Sequence, residues 1–337
     1  MSVMSATIED VAARSGVSTA TVSRVLSGSV PARPETRERV LAAARELDYR
    51  PSAIARALKR QETRTLGLVV TDITNPFYPE IVRAVEAAAH ERGYGIVLAN
   101  GGNDPARELE HLDLLVERRV DGIVIASSLM ARRHAARLHG TAVPVVLVND
   151  TVTGSGLPTV TTAHRHGAKL ATEHLIGLGH RRIGHISAPA DQAASAQRRQ
   201  GVRDALRAAG LGEPVIAIGD GGVAGGAQAA EALIGSDITG IVAYNDLTAI
   251  GALRALRRAG IGVPEVISVV GFDDIDLAAW TDPPLTTVRQ PTDALGRWAV
   301  EHLADLLAGQ AIDGANPPVL LEPSLIVRDS TAAQGTA

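Results

Sequence analysis

The chain has 337 residues, with 33 Lys+Arg against 37 Asp+Glu, a net charge of −4 and no cysteine. Without cysteine there are neither disulfides nor thiol catalysis, which fits a reducing compartment. The first 20 residues lack an apolar export core and no apolar run reaches spanning length, so a bacterial cytoplasmic protein outside the membrane is expected.

Charge is unevenly placed. Residues 1 to 64 carry 11 basic and 7 acidic side chains, net +4, and residues 65 to 337 carry 22 and 30, net −8. The basic excess sits at the N-terminal end, where phosphates can be met. There, Thr7 three residues before Asp10 predicts a capping box, and Ile8, Val11, Ala12 and Ser15 follow helical spacing with one narrow apolar face. Gly16 suits the positive φ that ends such a helix. Ser18 can cap a second helix that turns Val22, Val25 and Leu26 inward and leaves Thr19, Ala20, Ser23 and Arg24 outward. This is a helix-turn-helix pattern, and an outward Arg24 can pair bidentately with guanine. A plain amphipathic hairpin with a solvated arginine shares the pattern.

The next segments favour the DNA reader. Pro34 to Leu47 predicts a third helix, with Pro34 in its first turn and Val40, Ala44 and Leu47 on one side. Three short helices make a headpiece over residues 1–50. After Asp48-Tyr49-Arg50-Pro51, the run Ser52 to Arg60 has a serine cap, strong helix formers and a basic end, a hinge helix within a linker over 51–64. A helix of about seven residues is far below the about 12–15 needed to persist alone in water, so this one folds only with support.

Residues 65 to 337 exceed one ordinary domain and predict two lobes. The first series reads strand 65–70, helix Tyr78 to Arg92, strand 95–99, helix Ala106 to Arg118, and strands 122–125 and 145–148. The second reads helix His166 to Leu178, strand 183–186, helix Gln197 to Ala209, strand 215–218, helix Ala224 to Ile234, and strands 240–243 and 268–271. Alternation of this kind implies parallel sheets covered by helices. The chain returns to the first lobe from about Pro291 to Leu320 and ends in the second with Leu325 to Val327. The expected boundaries are 65–163 with 291–321 for one lobe, 164–290 with 322–330 for the other, and a flexible tail over 331–337.

Ala6 to Gly28, the Pro-Glu-Thr-Arg-Glu-Arg-Val segment at 34–40, and Tyr49 through Leu58 together resemble the headpiece and hinge helix of the lactose-repressor (LacI/GalR) family. The resemblance runs from about residue 6 to about residue 328 and implies a multidomain chain. Its parts are an all-α helix-turn-helix headpiece, a hinge helix, and a two-lobed α/β core of the type I periplasmic-binding-protein kind. It implies that Thr19, Ala20 and Arg24 face bases, that Thr21, Ser23 and Arg56 position the backbone, and that Leu58 from each subunit wedges into the minor groove. It also implies a homodimer on a palindromic operator, with DNA affinity controlled by a small effector. The helix from Tyr78 to Arg92 is expected on the dimer surface.

Ligands of open α/β sheets sit at the carboxyl ends of strands. By the same resemblance, Asn149, Arg198, Asn245, Asp273 and Gln290 match effector-contacting positions, and Phe77 and Tyr78, after Asn75-Pro76, wall the first-lobe side. The chain has only two phenylalanines, Phe77 and Phe272, and neither reads as bulk core. A carboxylate, a guanidinium and several amides suit a polyhydroxylated ligand, a sugar or sugar derivative.

Three departures qualify the resemblance. Arg33 stands where relatives often place a serine cap. Gly221 stands where they often place a stacking aromatic. Gln192-Ala193-Ala194 lacks the arginine and threonine of purine-responsive relatives, which argues against a purine. The run Gly219 to Gly226 lacks both the Gly-Lys-Ser/Thr ending of a P-loop and the dinucleotide spacing. His164 and His166 fall on different sides of a helix and make a poor metal pair. No nucleophile, base and orienting acid form a motif, so neither catalysis nor a cofactor is expected. A solute-binding protein would share the core but lack residues 1–60. Activation instead of repression, by a non-sugar metabolite, is the alternative within regulators.

Overall fold

The computed structural model describes residues 6–27, 32–49, 62–127, 135–149, 155–189, 193–310 and 317–335. Its contacts divide the chain into two units, Met1–Arg64 and Thr65–Ala337. In the first, α1 (Ile8–Ser15), α2 (Thr19–Ser27) and α3 (Pro34–Glu46) close on Val11, Ala12, Val22, Val25, Val40, Ala43 and Ala44. The capping box forms as the sequence predicts, with Thr7 Oγ1 accepting from Asp10 N and the Asp10 carboxylate accepting from Thr7 N. Gly16 takes φ 67 at the end of α1, and Ser18 Oγ accepts from Thr21 N at 3.2 Å at the start of α2. Arg33 gives α3 no side-chain cap, so that helix starts on Pro34 alone. Arg14 and Glu46, 2.8 Å apart, tie α1 to α3, an exposed pair that contributes at most about 1 kcal/mol.

In the second unit β1 (Thr65–Val70), α4 (Phe77–Glu91), β2 (Gly95–Asn100), α5 (Pro105–Glu117), β3 (Gly122–Ala126), α6 (Ala135–His139), β4 (Val145–Val148) and β5 (Thr159–Thr162) build the first sheet and its cover. Next come α7 (His164–Gly177), β6 (Ile183–Ser187), α8 (Ala193–Ala208), β7 (Val215–Ile218), α9 (Val223–Leu233), β8 (Gly240–Ala243), α10 (Asp246–Arg258) and β9 (Ser268–Asp273). A 3-10 turn at Asp276–Trp280 leads to β10 (Thr286–Arg289), α11 (Thr292–Leu307), β11 (Val319–Leu321) and β12 (Ser324–Ile326).

The strands form two six-stranded sheets, β11-β5-β4-β3-β1-β2 and β12-β10-β9-β8-β6-β7. Every pairing is parallel except β10 with β12. The chain passes between the sheets three times, after β5, after β10 and between β11 and β12. Leu66, Leu68 and Val70 of β1 face α4, whose Ile81 and Val85 join the same core, while Val69 faces the side of Leu112 and Leu115 on α5. This is the period of two expected of a strand buried on both faces.

Four differences from the sequence expectations have physical causes. Helix α4 starts at Phe77 because Asn75 Oδ1 accepts its amide at 3.1 Å. Helix α10 was not predicted, nor were the threonine-rich strands β5 and β10. Both phenylalanines are core after all: Phe77 is 5 % and Phe272 1 % exposed. The tail expected to be flexible is held through Gln334. Thr331 Oγ1 lies 2.9 Å from His174 Nε2, His180 Nε2 lies 3.1 Å from the Ala332 carbonyl, and Gln334 N donates to Leu178 O at 2.8 Å.

Candidate functional site

The headpiece turns one face of α2 outward. Thr19, Ala20 and Arg24 are exposed, Thr21 and Ser23 are half-buried, and Val22 and Val25 point into the core. Arg24 lies along its own helix, with Nε donating to Ala20 O at 3.3 Å and Nη2 to Thr21 Oγ1 at 3.4 Å. Arg56 and Leu58 lie outside the described residues.

In the core, polar groups gather where strands end. Asn149 follows β4 and Gln290 follows β10, at a crossing between the sheets. Asn149 Oδ1 accepts from Thr162 N at 2.8 Å, and its amide donates to Gln290 Oε1 at 2.7 Å. Gln290 Oε1 also accepts from Thr162 Oγ1 at 2.6 Å, and Gln290 Nε2 donates to Asp273 Oδ1 at 2.7 Å. Asp273 lies 3.6 Å from Arg198 Nη2. Arg198 Nη1 donates to the Tyr244 carbonyl at 2.5 Å and Nη2 to His164 Nδ1 at 3.3 Å. One hydrogen-bonded chain thus runs from the first sheet, through a crossing, to the second.

The Arg198 guanidinium is also stacked, 3.7 Å from the Phe272 ring centre and 4.7 Å from that of Tyr244. Cation–π contacts of desolvated arginine contribute up to about 2 kcal/mol or more, which lets a charge remain in so buried a place. Burial, opposed by Arg198 and Gln290, raises the Asp273 carboxyl to about 6. Asp246 is raised well above the usual carboxylate range by burial and by Asp273, though Ile275 N and Thr287 Oγ1 donate to it. Burial and the Arg198 charge lower His164 well below its usual range, so it stays neutral and accepts from Arg198.

Asp273 therefore predicts a sign for pH dependence. Its folded value near 6 lies above the about 3.9 of an unfolded aspartate. The native state binds this proton more tightly, so the group's stabilisation is full below about pH 4 and is lost as pH rises through about 6. Urea midpoints taken between pH 4 and 7 are expected to show this slope in the wild type and a shallower one in Asp273→Asn, where buried Asp246 still contributes in the same direction.

The other residues named from the sequence are placed differently. Tyr78 packs its ring edge-on to Phe77, centroids 5.5 Å apart, and its hydroxyl bonds with Thr71 and Ser127 at the ends of β1 and β3. Burial raises that phenol, which also feels Tyr244 and Asp273. Phe77 is spent on the core rather than on the cleft. Asn75 opens α4. Asn245 caps α10, its Oδ1 accepting from Thr248 N at 2.9 Å, and braces the glycine loop by donating to Gly221 O at 2.9 Å. His164 faces Arg198 while His166 faces Glu322 at 3.6 Å. Among the described residues no cluster of His, Asp and Glu is disposed to hold a metal, and no helix is long and apolar enough to cross a membrane. Sequence reasoning missed Tyr244, Thr162 and His164 as neighbours of the charged groups. The only signal was their position, each at or just past a strand end.

Residues 7–52 match the family described as bacterial regulatory proteins, lacI family, and residues 63–323 match the periplasmic binding proteins and sugar binding domain of LacI family. The chain belongs to the LacI family. It is a DNA-binding transcriptional regulator, in a family of regulators rather than enzymes. The HTH-type transcriptional repressor CytR of Escherichia coli (strain K12) is 36 % identical over 332 residues, 97 % of each chain. The solved lac repressor dimer, bound to operator and the anti-inducer ONPF, superposes with a TM-score of 0.89 at 29 % identity, over 97 % of this chain and 99 % of that one. The regulator CelR in complex with cellobiose gives 0.73 at 35 % identity, over 96 % and 99 %.

Proposed function

We propose that this LacI-family chain acts in the bacterial cytoplasm as a homodimeric repressor of a palindromic operator, released or recruited by a sugar or sugar derivative in the interlobe cleft. The observation that carries the reading is the exposed face of α2, Thr19, Ala20 and Arg24, in one chain with a buried cluster of Arg198, Asp273, Asn149 and Gln290. Arg24 reads a guanine, Thr21, Ser23 and Arg56 fix register on phosphates, and Leu58 wedges the minor groove. In the cleft, Arg198, Asp273, Asn149 and Gln290 exchange their mutual hydrogen bonds for ligand hydroxyls, Tyr78 closes from the first lobe, and Asn75 and Asn245 hold the flanking backbone. No cofactor takes part.

Dimerisation is supported by the dimer seen in the lac repressor structure and by the free edge of β2. Helix α4 gives its apolar face to the core and α11, whereas Val97 and Leu98 on β2 and Leu114 on α5 stay 37–42 % exposed.

Selection of genomic fragments by the purified protein at fixed salt, then rebinding with sugars present, tests the reading. One palindrome whose binding changes with one sugar is the expected outcome, and indifference to all sugars discards the carbohydrate. Arg24→Ala is expected to relax base preference by about 1–3 kcal/mol at one position while nonspecific, salt-sensitive binding persists. Unchanged preference in that variant would remove Arg24 from base readout.

A further inference from the structure

Strand β9 ends in a reversal. Asp273, its last residue, takes φ 122 and Asp274 takes φ 58, the only two consecutive residues other than glycine with positive φ among those described. Such conformations are sparsely populated by residues with a side chain and persist only where the surroundings over-determine them. Both flanks of the reversal are held. Gln290 Nε2 donates to Asp273 Oδ1 at 2.7 Å, and Ile275 N donates to Asp246 Oδ2 at 2.9 Å. Between them the Asp274 side chain, 4 % exposed, is gripped on both oxygens. Arg289 Nε donates to Oδ2 and Arg328 Nη2 to Oδ1, each at 2.6 Å. The two arginines are not equivalent. Arg289 is 56 % exposed, and an exposed partner holds little. Arg328 is 19 % exposed and is fixed along its length: Nη1 donates to Leu285 O at 2.7 Å, its amide donates to Thr286 Oγ1 at 2.9 Å, and its carbonyl accepts from that hydroxyl at 3.1 Å. It belongs to the C-terminal segment, which Ser330 ties to β9 by exchanging hydrogen bonds with Val269.

We infer that Asp274, gripped by Arg289 and Arg328, is a positioning residue of the effector site: its ion pairs hold the strained turn that aims the Asp273 carboxylate, so the C-terminal segment sets effector affinity through Arg328. This rests on the carbohydrate reading above, in which Asp273 meets the ligand. Both Asp274 oxygens are taken by arginines, so its contribution passes through the turn. A buried carboxylate between two guanidiniums resists rotation, because leaving them strands its charge and gives up charge-assisted hydrogen bonds. Asp273 is joined to it by one peptide bond. A carboxylate that must serve both Gln290 and Arg198, and then a ligand, tolerates little displacement.

The test uses the full-length protein with D-ribose, D-xylose, D-glucose, D-galactose, maltose and cellobiose. Affinity is read by titration calorimetry and stability by thermal unfolding, and the tightest-binding sugar is carried into the variants. Arg328→Met and Asp274→Asn are each expected to weaken it by about tenfold or more, the lower end of the about 10–100-fold lost when an orienting group behind a metal ligand is removed. Asparagine tolerates the left-handed backbone, so Asp274→Asn removes the grip without forbidding the turn. Arg328→Lys keeps the charge but not the fork that serves Leu285 and Asp274 together, and falls between. Ser330→Ala is the control. It strips the same segment of its hydroxyl's bonds with Val269 and Thr286 without touching Asp274, and is expected to lower Tm while sugar affinity stays near the wild-type value. Crystal structures without sugar complete the test, with Asp273 in Arg328→Met expected to leave both Gln290 and the positive φ range. Wild-type affinity in both Arg328→Met and Asp274→Asn, a loss of affinity in Ser330→Ala equal to that in Arg328→Met, or an unmoved Asp273 in Arg328→Met overturns the positioning role while the carbohydrate reading stands. Silence of the wild type toward every sugar overturns the carbohydrate reading instead, and the conformation of Asp273 in Arg328→Met then decides the positioning role alone.

Discussion

Arg198→Ala lowers the unfolding free energy of the two-lobed unit by about 3–5 kcal/mol and abolishes its response to effector. The guanidinium is 5 % exposed and serves Asp273, the Tyr244 carbonyl and His164 at once. Its removal leaves a carboxylate with one hydrogen bond, from Gln290, in a region that also holds Asp246. Uncompensated buried charge costs more than the lost attraction of the pair. Part of the damage can be relieved by protonating Asp273, so the destabilisation should be larger at pH 7.5 than at pH 5. Arg198→Ala combined with Asp273→Asn should be more stable than Arg198→Ala alone, since the amide needs no counter-charge. Arg198→Lys keeps the charge but not the planar stack between Phe272 and Tyr244, and should fall between wild type and alanine. Urea titrations of the four proteins at both pH values decide the matter. A double variant no better than the single one would mean that the loss is packing rather than unpaired charge.

Legibility in the sequence followed the chemistry of each segment. Strands β1, β4, β7 and β8 were bounded to the residue, because a continuous apolar run between polar turns admits little else. Strands β5 and β10 were missed because Thr161, Thr162, Thr286 and Thr287 look polar on paper. In the structure they are buried, with hydroxyls given to acceptors such as Gln290, Asp246 and the Arg328 carbonyl. A buried threonine is silent in any pattern that scores polarity alone, since its cost vanishes only when a partner distant in sequence is present. Helix α10 was missed for a related reason. Asn245 drew notice as a candidate ligand group, yet it caps the helix, and Asp246 beside it receives Ile275 N. The convergence of Asn149, Arg198, Asp273 and Gln290 was legible only through the family resemblance, because their separations in the chain carry no local signal. Tyr244 was not legible at all: its contact with Arg198 joins two residues 46 apart in the chain.

The close crossing of α9 and α10 carries the other large effect. A Cβ at Gly251 would stand 2.2 Å from the Val223 carbonyl oxygen and 2.7 Å from Ala227 N, and one at Gly226 would stand 2.4 Å from the Thr248 carbonyl oxygen. These contacts are backbone on both sides, so no side chain can swing away and the helices themselves must part. Gly251→Ala is expected to cost about 1–3 kcal/mol, the usual range for overpacking, or roughly 2–4 °C in Tm per kcal/mol for a unit of this size. Gly177→Ala provides the contrast. It lies at the end of α7 with nothing within 4 Å of the added carbon, and alanine there should stabilise by about 0.4–1 kcal/mol through the unfolded chain. The consequence at Gly251 extends to the cleft, because α9 follows the Gly221 loop directly and α10 begins at Asn245, whose amide joins the two. Parting the helices lengthens that bond and frees the glycine loop from Tyr244. Gly251→Ala should therefore weaken effector binding beyond its loss of stability. Equal losses of Tm and of effector affinity in Gly251→Ala and Gly177→Ala would show that the crossing is not as tight as its backbone distances require.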